Sequence, residues 1–332
     1  MSATLLSRWL PALLAGEDHI AETGALHDGT RWAVLDEGVL LLEPADEAAA
    51  QIDLLLSCGI HGNETAPIEM LDRLLQQLAS GAVSNPAARV LLIFGNPAAM
   101  RAGERYLDDD LNRLFGGKHQ FYQDSREARR AALLEQYAQR FFEMGQGQRL
   151  HLDLHTAIRA SYYPTFAICP AQGDTPYIDS LLGLLQAVDI GTLLLQPQPS
   201  NTFSSYCRSQ LGARALTLEL GQARPFGHNQ SLPLVEWLAL LPRLLQGQLP
   251  AASAPLDIRR FAVTREVIRT SEQFVLHLAD DVANFTPLPA GYLLAEDGAQ
   301  QTIVAAGEHI LFPNPAVKVG LRAGILVARN DA

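Results

Sequence analysis

The chain has 332 residues, enough for one large domain or two unequal ones and for a sizeable buried core. Its 25 Lys and Arg against 36 Asp and Glu give a formal charge of −11, which argues against a general nucleic-acid or membrane-surface role, since both need a basic face. With 48% hydrophobic and 18% charged residues the composition is that of a globular chain. Cys58, Cys169 and Cys207 are odd in number and widely spaced. They fit neither a disulfide framework nor a thiolate zinc site and suit a reducing compartment. The N-terminal apolar stretch is interrupted by Arg8, Trp9 and Pro11, and no apolar run reaches the ~18–20 residues that cross a bilayer. The expectation is a soluble cytoplasmic protein.

The first clear core unit is IDLLLSC (52–58), a continuous apolar run of strand length, as expected of a strand buried on both faces. A glycine-containing loop, GIHGNETAP, follows. From Ile68 to Ser80 the period becomes helical, with Ile68, Leu71, Leu74, Leu75 and Leu78 on one face. Thr65 suits its N-cap and Pro67 its first turn. After a turn signal at Gly81, Asn85 and Pro86, RVLLIFGN (89–96) reads as a second buried strand. Strand, helix and strand make a βαβ unit and predict a parallel pair.

Residues 97–124 read as a long polar loop, and 126–144 as a helix burying Leu134, Tyr137, Phe141 and Phe142. RLHLDLH (149–155) predicts a strand with His151, Asp153 and His155 on one face. Further strands are expected at 165–169, 192–195 and 214–220. Helices are expected at 176–188 and 231–246, the last kinked or ended by Pro242. Residues 247–257 have linker composition. Beyond them come short β-like runs at 263–269, 274–278, 291–295, 302–305, 309–312 and 324–328. The expectation is an α/β domain over 1–250 and a small all-β domain over 251–332.

The sharpest chemical signal is His61-x-x-Glu64, in the loop after a buried strand, where open α/β sheets bind ligands. Both side chains can reach one ion, and zinc accepts imidazole nitrogen and carboxylate oxygen at about 2.0–2.2 Å. A His-x-x-Glu pair also recurs by chance, and a catalytic zinc site needs a third protein ligand. His155, at the end of its strand, is the natural candidate, although a lone strand-end histidine is more often simply hydrogen-bonded. Asp153 suits either orientation of that imidazole or a backbone amide. Glu219, set in the apolar run ALTLELG, is costly to bury unless it faces a polar cleft. It is a candidate general base or an exposed strand-end residue. Arg105 and Arg113 lie in one polar loop and Arg208 and Arg224 elsewhere. They could hold a substrate carboxylate bidentately or pair with Asp108, Asp109 and Asp110.

In order along the chain, GIHGNETAP, RYLDDDLNRLF, LDLHTAIR and TLELGQARPFG resemble the succinylglutamate desuccinylase/aspartoacylase family, over at least residues 57–227. The resemblance implies a zinc-carboxypeptidase-like fold, with a mixed, mostly parallel sheet flanked by helices and a C-terminal all-β domain. It implies one zinc bound by His61, Glu64 and His155, and Glu219 as general acid/base. Arg105 would polarise the scissile carbonyl, while Asn112 and Arg113 would hold a substrate carboxylate. Arg208 is the nearest match to one further family arginine, at a spacing one residue longer than the family's. Length and the motif GIHGNETAPIE are most similar to the bacterial desuccinylase branch, which splits N-succinyl-glutamate into succinate and glutamate at the end of the succinyl-transfer route of arginine breakdown. Another N-acyl amino acid hydrolase of aspartoacylase type, a peptide-cleaving metallocarboxypeptidase and a non-catalytic scaffold stay open. The partner implied is a small-molecule N-acyl amino acid, with no nucleic acid and no membrane. A homo-oligomer is left open.

Overall fold

The apolar runs IDLLLSC and ARVLLIF form two strands in which every residue is buried, so both faces of the sheet they share must be covered. The computed structural model describes residues 3–85, 87–122, 124–170, 175–230, 234–253 and 257–330. Pro86 of the expected turn, the first residues of the expected 231–246 helix, and residues 254–256 of the expected linker lie outside these. In chain order the strands before residue 250 are β1 (Thr23–Ala25), β2 (Arg31–Asp36), β3 (Val39–Glu43), β4 (Ile52–Cys58), β5 (Ala88–Phe94), β6 (Gln148–Ala157), β7 (Thr165–Cys169), β8 (Thr192–Leu195) and β9 (Arg214–Gln222). Those after it are β10 (Arg259–Ile268), β11 (Val275–Leu276), β12 (Thr286–Pro287), β13 (Leu293–Asp297), β14 (Gln300–Ile303), β15 (Glu308–Leu311) and β16 (Arg322–Arg329). The helices are α1 (Ala3–Leu6), α2 (Trp9–Ala15), α3 (Thr65–Ser80), α4 (Pro97–Ala102), α5 (Arg126–Met144), α6 (Thr175–Ala187), α7 (Phe203–Leu211) and α8 (Val235–Leu245).

The main sheet has the order β1-β2-β3-β5-β4-β6-β9-β7-β8-β10-β16-β15-β12, and β11-β13-β14 form a second, three-stranded sheet. At its centre β5, β4, β6 and β9 run parallel, so their carboxyl ends lie side by side. Along β4 the side chains divide between the two faces. Leu54 and Leu56 pack in the core beneath α3 and α8, whereas Leu55 joins Phe141, Phe142 and Phe203 of α5 and α7 on the other side. β10 pairs in parallel with β8, which carries the sheet into the C-terminal lobe. Phe166 and Leu194 share a core with Phe261, Phe285, Leu311, Ile325 and Val327 of that lobe.

The expected βαβ unit and the long helix at 126–144 are present, and the strands at 52–58, 165–169 and 192–195 have the expected bounds. Helix α3 begins at Thr65 itself. Its hydroxyl does not cap the helix but donates to the carbonyl of Arg224 (2.7 Å), tying the loop after β9 to the start of α3. Pro242 lies inside α8, which runs on to Leu245. The polar stretch after β5 contains α4, whose N-cap is the Asn96 side chain accepting from Ala99 N–H. Strands β1–β3 and helix α7 carry no strong period and were not anticipated.

The carboxylate of Asp53 on β4 is fully buried, accepting from Arg89 Nη1 on β5 (3.0 Å) and from Gly147 N–H (2.8 Å). Arg89→Ala leaves that charge with a backbone donor alone. The expected loss is about 3–5 kcal/mol of stability, read from chemical denaturation. A midpoint equal to that of the wild type would contradict this account of the ion pair.

Candidate metal centre and active site

β4 delivers the chain to Gly59, which adopts a positive φ of 62°, and the loop through His61 and Glu64 then enters α3. A Cβ on Gly62 would fall 2.3 Å from the carbonyl carbon of Ala99, so α4 can back this loop only because residue 62 has no side chain. Near the carboxyl end of the neighbouring parallel strand β6, His155 is in register with Glu219 of β9. The three ends therefore converge because the strands are adjacent in the sheet, although they are far apart in the chain.

One ligand atom each from His61, Glu64 and His155 can be chosen so that all lie within 4.8 Å of one another, and all three residues are buried. Glu64 Oε1 is 2.8 Å from His61 Nδ1, and Oε2 is 2.9 Å from His155 Nδ1. The opposite nitrogens of the imidazoles face other carboxylates. His61 Nε2 meets Asp110 (2.9 Å) and His155 Nε2 meets Asp153 (3.1 Å). A carboxylate at Nε2 draws the ring proton there and leaves the Nδ1 lone pair directed at the convergence point. His61 Nδ1 is buried and, despite its closeness to Glu64, lacks hydrogen-bond alignment with any described residue. A buried imidazole nitrogen without a donor, beside a carboxylate and a second imidazole, suits a divalent cation.

The charges are balanced locally. Burial opposes ionisation of Glu64, but His61 and His155 outweigh it and hold the carboxyl well below its usual range. Burial likewise opposes charge on His155, yet Asp153 and Glu64 hold it well above the usual imidazole value. A cation bound here would take the place of that proton. Asp153 is itself fixed from behind, since Ser57 Oγ donates to it at 2.6 Å. His151 Nε2 lies 2.8 Å from the same hydroxyl, and burial pushes His151 down to about 4, so it stays neutral.

Glu219 faces the same cavity of about 340 Å³, a volume suited to a small ligand. It is buried, and its Oε2 has no partner among the described residues. Burial, followed by the negative charge of Glu64, pushes it up to about 7 against the pull of His155 and Arg105. A carboxyl poised there can accept and release a proton near neutral pH.

Arg105 donates from Nη1 to Glu64 Oε1 (2.8 Å) and lines the cavity. Asn112 sits in a short turn (Leu111–Arg113) capped by the Asp110 side chain. Its Nδ2 is 3.4 Å from His155 Nε2, and its Oδ1 accepts from Phe203 N–H. Arg113 lines the cavity beside it, with Nη1 donating to the Asn112 carbonyl (2.8 Å).

The expected placement of Arg208 near substrate is not what the structure shows. Its guanidinium lies 4.0 Å over the Tyr177 ring, and Tyr177 bonds Ala215 at the start of β9, the end away from Glu219. It is carried by α7 and is not among the cavity residues. Several cavity groups were not assigned from sequence. Asp110, the residue facing His61, was visible only as the third of three aspartates. Arg159 stood in the motif LDLHTAIR without a role. Asn284 and Arg322 come from the C-terminal lobe, which carried no chemical motif.

Removing one imidazole from the cluster should weaken metal binding by at least about a hundredfold, since even residues behind the ligands cost 10–100-fold. Dialysed His61→Ala is expected to retain far less than one metal equivalent by elemental analysis, and full occupancy would exclude His61 as a ligand. A second expectation concerns the metal-free protein. Because the folded-state value of Glu219 is raised, its contribution favours folding in acid and is lost as pH rises from the unfolded value toward about 7. Glu219→Gln should therefore raise the metal-free melting temperature by more at pH 8 than at pH 5. An equal shift at both would refute the burial penalty.

Two family models match the chain. The succinylglutamate desuccinylase/aspartoacylase catalytic domain covers residues 50–240, and the AstE/AspA barrel-sandwich hybrid domain covers residues 256–330. The succinylglutamate desuccinylase of Pseudomonas paraeruginosa is 49% identical over 326 residues, 97% of this chain and 98% of that protein. Among solved structures, the succinylglutamate desuccinylase of Chromobacterium violaceum superposes with a TM-score of 0.85 at 40% identity, covering 98% of each chain. That of Vibrio cholerae gives 0.86 at 33% identity, covering 97% of this chain and 94% of its own. With catalytic-domain motifs, C-terminal lobe and full-length relatives all in agreement, the chain belongs to the succinylglutamate desuccinylase/aspartoacylase family.

Proposed function

We propose that this protein is a zinc-dependent amidohydrolase that cleaves N-succinyl-L-glutamate to succinate and L-glutamate, at the end of the succinyl-transfer route of arginine catabolism in the cytoplasm. The observation that carries the reading is the meeting of His61, Glu64 and His155 in one cavity with Glu219 and Arg105. The names of its full-length relatives supply the substrate. In this reading residues 1–250 form the catalytic domain and 251–332 the β domain that completes the cavity wall. No described helix is long and apolar enough to cross a membrane.

His61, Glu64 and His155 would hold the zinc, one per chain, which when bound would activate water and polarise a carbonyl. Glu219 takes a proton from the attacking water, which its raised affinity favours near neutral pH, and returns it to the departing glutamate nitrogen. Arg105, within the cavity and fixed by Glu64, donates to the carbonyl oxygen as negative charge gathers there. Asn112 and Arg113 orient the substrate through one carboxylate. Asp110 and Asp153 hold the two imidazoles and so set where the reacting atoms sit.

Zinc-loaded protein should turn over N-succinyl-L-glutamate faster than N-acetyl-L-aspartate or a peptide with a free C-terminus, and the reverse order would reject the substrate assignment. Glu219→Gln should lower kcat by about 10²–10⁴-fold while zinc stays bound. Loss of zinc from that variant would make Glu219 a structural residue instead.

A further inference from the structure

A second arginine shares the cavity with Arg113. Arg322 is the first residue of β16, held in register with Ile268 of β10, and it lines the same cavity from the C-terminal lobe. Nη1 donates to Glu266 Oε1 at 2.9 Å, and the Arg322 side chain is only 14% exposed. Arg113 is tied similarly, through Nη1 to the Asn112 carbonyl. Among the described residues neither hydrogen bond uses Nε or Nη2, the edge that grips a carboxylate with two parallel N–H bonds.

The segment before Arg322 is fastened to the loop that carries Arg113. Lys318 Nζ reaches the Asp109 carboxylate (2.7 Å) and the Asp108 carbonyl (3.1 Å), while Arg269 holds the Val317 carbonyl and accepts from Gly320 N–H. The two guanidinium groups are thus brought near each other by construction. Burial foremost, with Arg322 and Arg105 adding to it, pushes Arg113 down to about 10 in spite of Asp110. Asp110 is already engaged by His61, and Glu266 is half-exposed. Two cations in a partly buried cavity with so little counter-charge favour a ligand carrying two anionic groups a few ångströms apart.

Resting on the functional reading above, we infer that Arg322 is a specificity-determining residue, pairing with the γ-carboxylate of the glutamate moiety while Arg113 takes the α-carboxylate. The substrate carries three carboxylates, one on the succinyl arm and two on glutamate, and adjacent arginines match the end that has two. Their order follows from position. Arg113 adjoins Asn112, which touches His155, and so lies nearer the scissile amide and the α-carboxylate. Arg322 approaches from the other lobe.

The test compares wild type, Arg322→Gln, Arg322→Lys and Glu266→Gln, all zinc-loaded, on N-succinyl-L-glutamate, N-acetyl-L-glutamate and N-succinyl-L-glutamine. A lost charge-assisted contact predicts that Arg322→Gln raises KM for succinylglutamate about 10- to 100-fold with kcat within about threefold. It should impose the same penalty on acetylglutamate, which keeps both glutamate carboxylates, and almost none on succinylglutamine, which lacks the γ charge. Arg322→Lys, which keeps charge without the planar fork, should fall between, and serves if the glutamine variant misfolds. Glu266→Gln removes only the ion-pair partner and should leave KM within about threefold. An unchanged KM in Arg322→Gln, an equal penalty on succinylglutamine, or a penalty confined to succinylated substrates would overturn the assignment. Failure of the wild type on every acyl-glutamate would instead sink the functional reading, and this inference with it.

Discussion

Everything in the site depends on the burial of one carboxylate. Glu64 is enclosed between two imidazoles at the carboxyl ends of adjacent strands, and an ionised carboxylate in such a place is tolerable only if positive charge meets it. The protein supplies that charge through His155 and Arg105, and leaves the His61 Nδ1 directed where a metal ion could take over the same role. The low dielectric that makes the cluster costly in isolation also strengthens whatever a cation or a guanidinium does to a substrate placed beside it.

That arrangement propagates outward as a chain of paired polar groups. Asp110 and Asp153 lock the far sides of the imidazoles, Ser57 locks Asp153, and neutral His151 abuts Ser57. Glu219 is the exception. It shares the register of His155 but forms no ion pair among the described residues, so burial and its acidic neighbour outweigh the pull of His155 and Arg105 and raise its proton affinity. Two carboxylates in one cavity, one held ionised and the other with raised proton affinity, are set apart by environment alone.

The C-terminal lobe is more than an appendage. It extends the main sheet through β10, shares an aromatic core with β7 and β8, and contributes Asn284, Asn314 and Arg322 to the cavity wall. An acidic protein thereby concentrates arginines where an anionic substrate would lie. Lys318 closes the seam against the Asp108 carbonyl and the Asp109 carboxylate, so of the three consecutive aspartate side chains Asp109 serves the junction between lobes, Asp108 accepts from Arg126 N–H at the start of α5, and Asp110 faces His61.

The sequence by itself determined the elements with a strong period and the residues with a strong chemical signature. Buried parallel strands reveal themselves as unbroken apolar runs, α3 and α5 as clear amphipathic helices, and His61-x-x-Glu64 as a local pair that one loop must bring together. His155 could be nominated because strand ends meet at the rim of an open α/β sheet. Sequence could not show which aspartate faces His61, that Thr65 bonds across to Arg224, or that Arg208 stacks on Tyr177, because these partners are distant in the chain and each alternative was equally open to a solvated polar side chain. The short strands β1–β3 and helix α7 were also hidden, their order coming from packing against the sheet more than from local periodicity. Only the tertiary structure decided that Arg322 lines the same cavity as Arg113, since strand order in the C-terminal lobe, and not spacing along the chain, sets which of its charges reach the cavity.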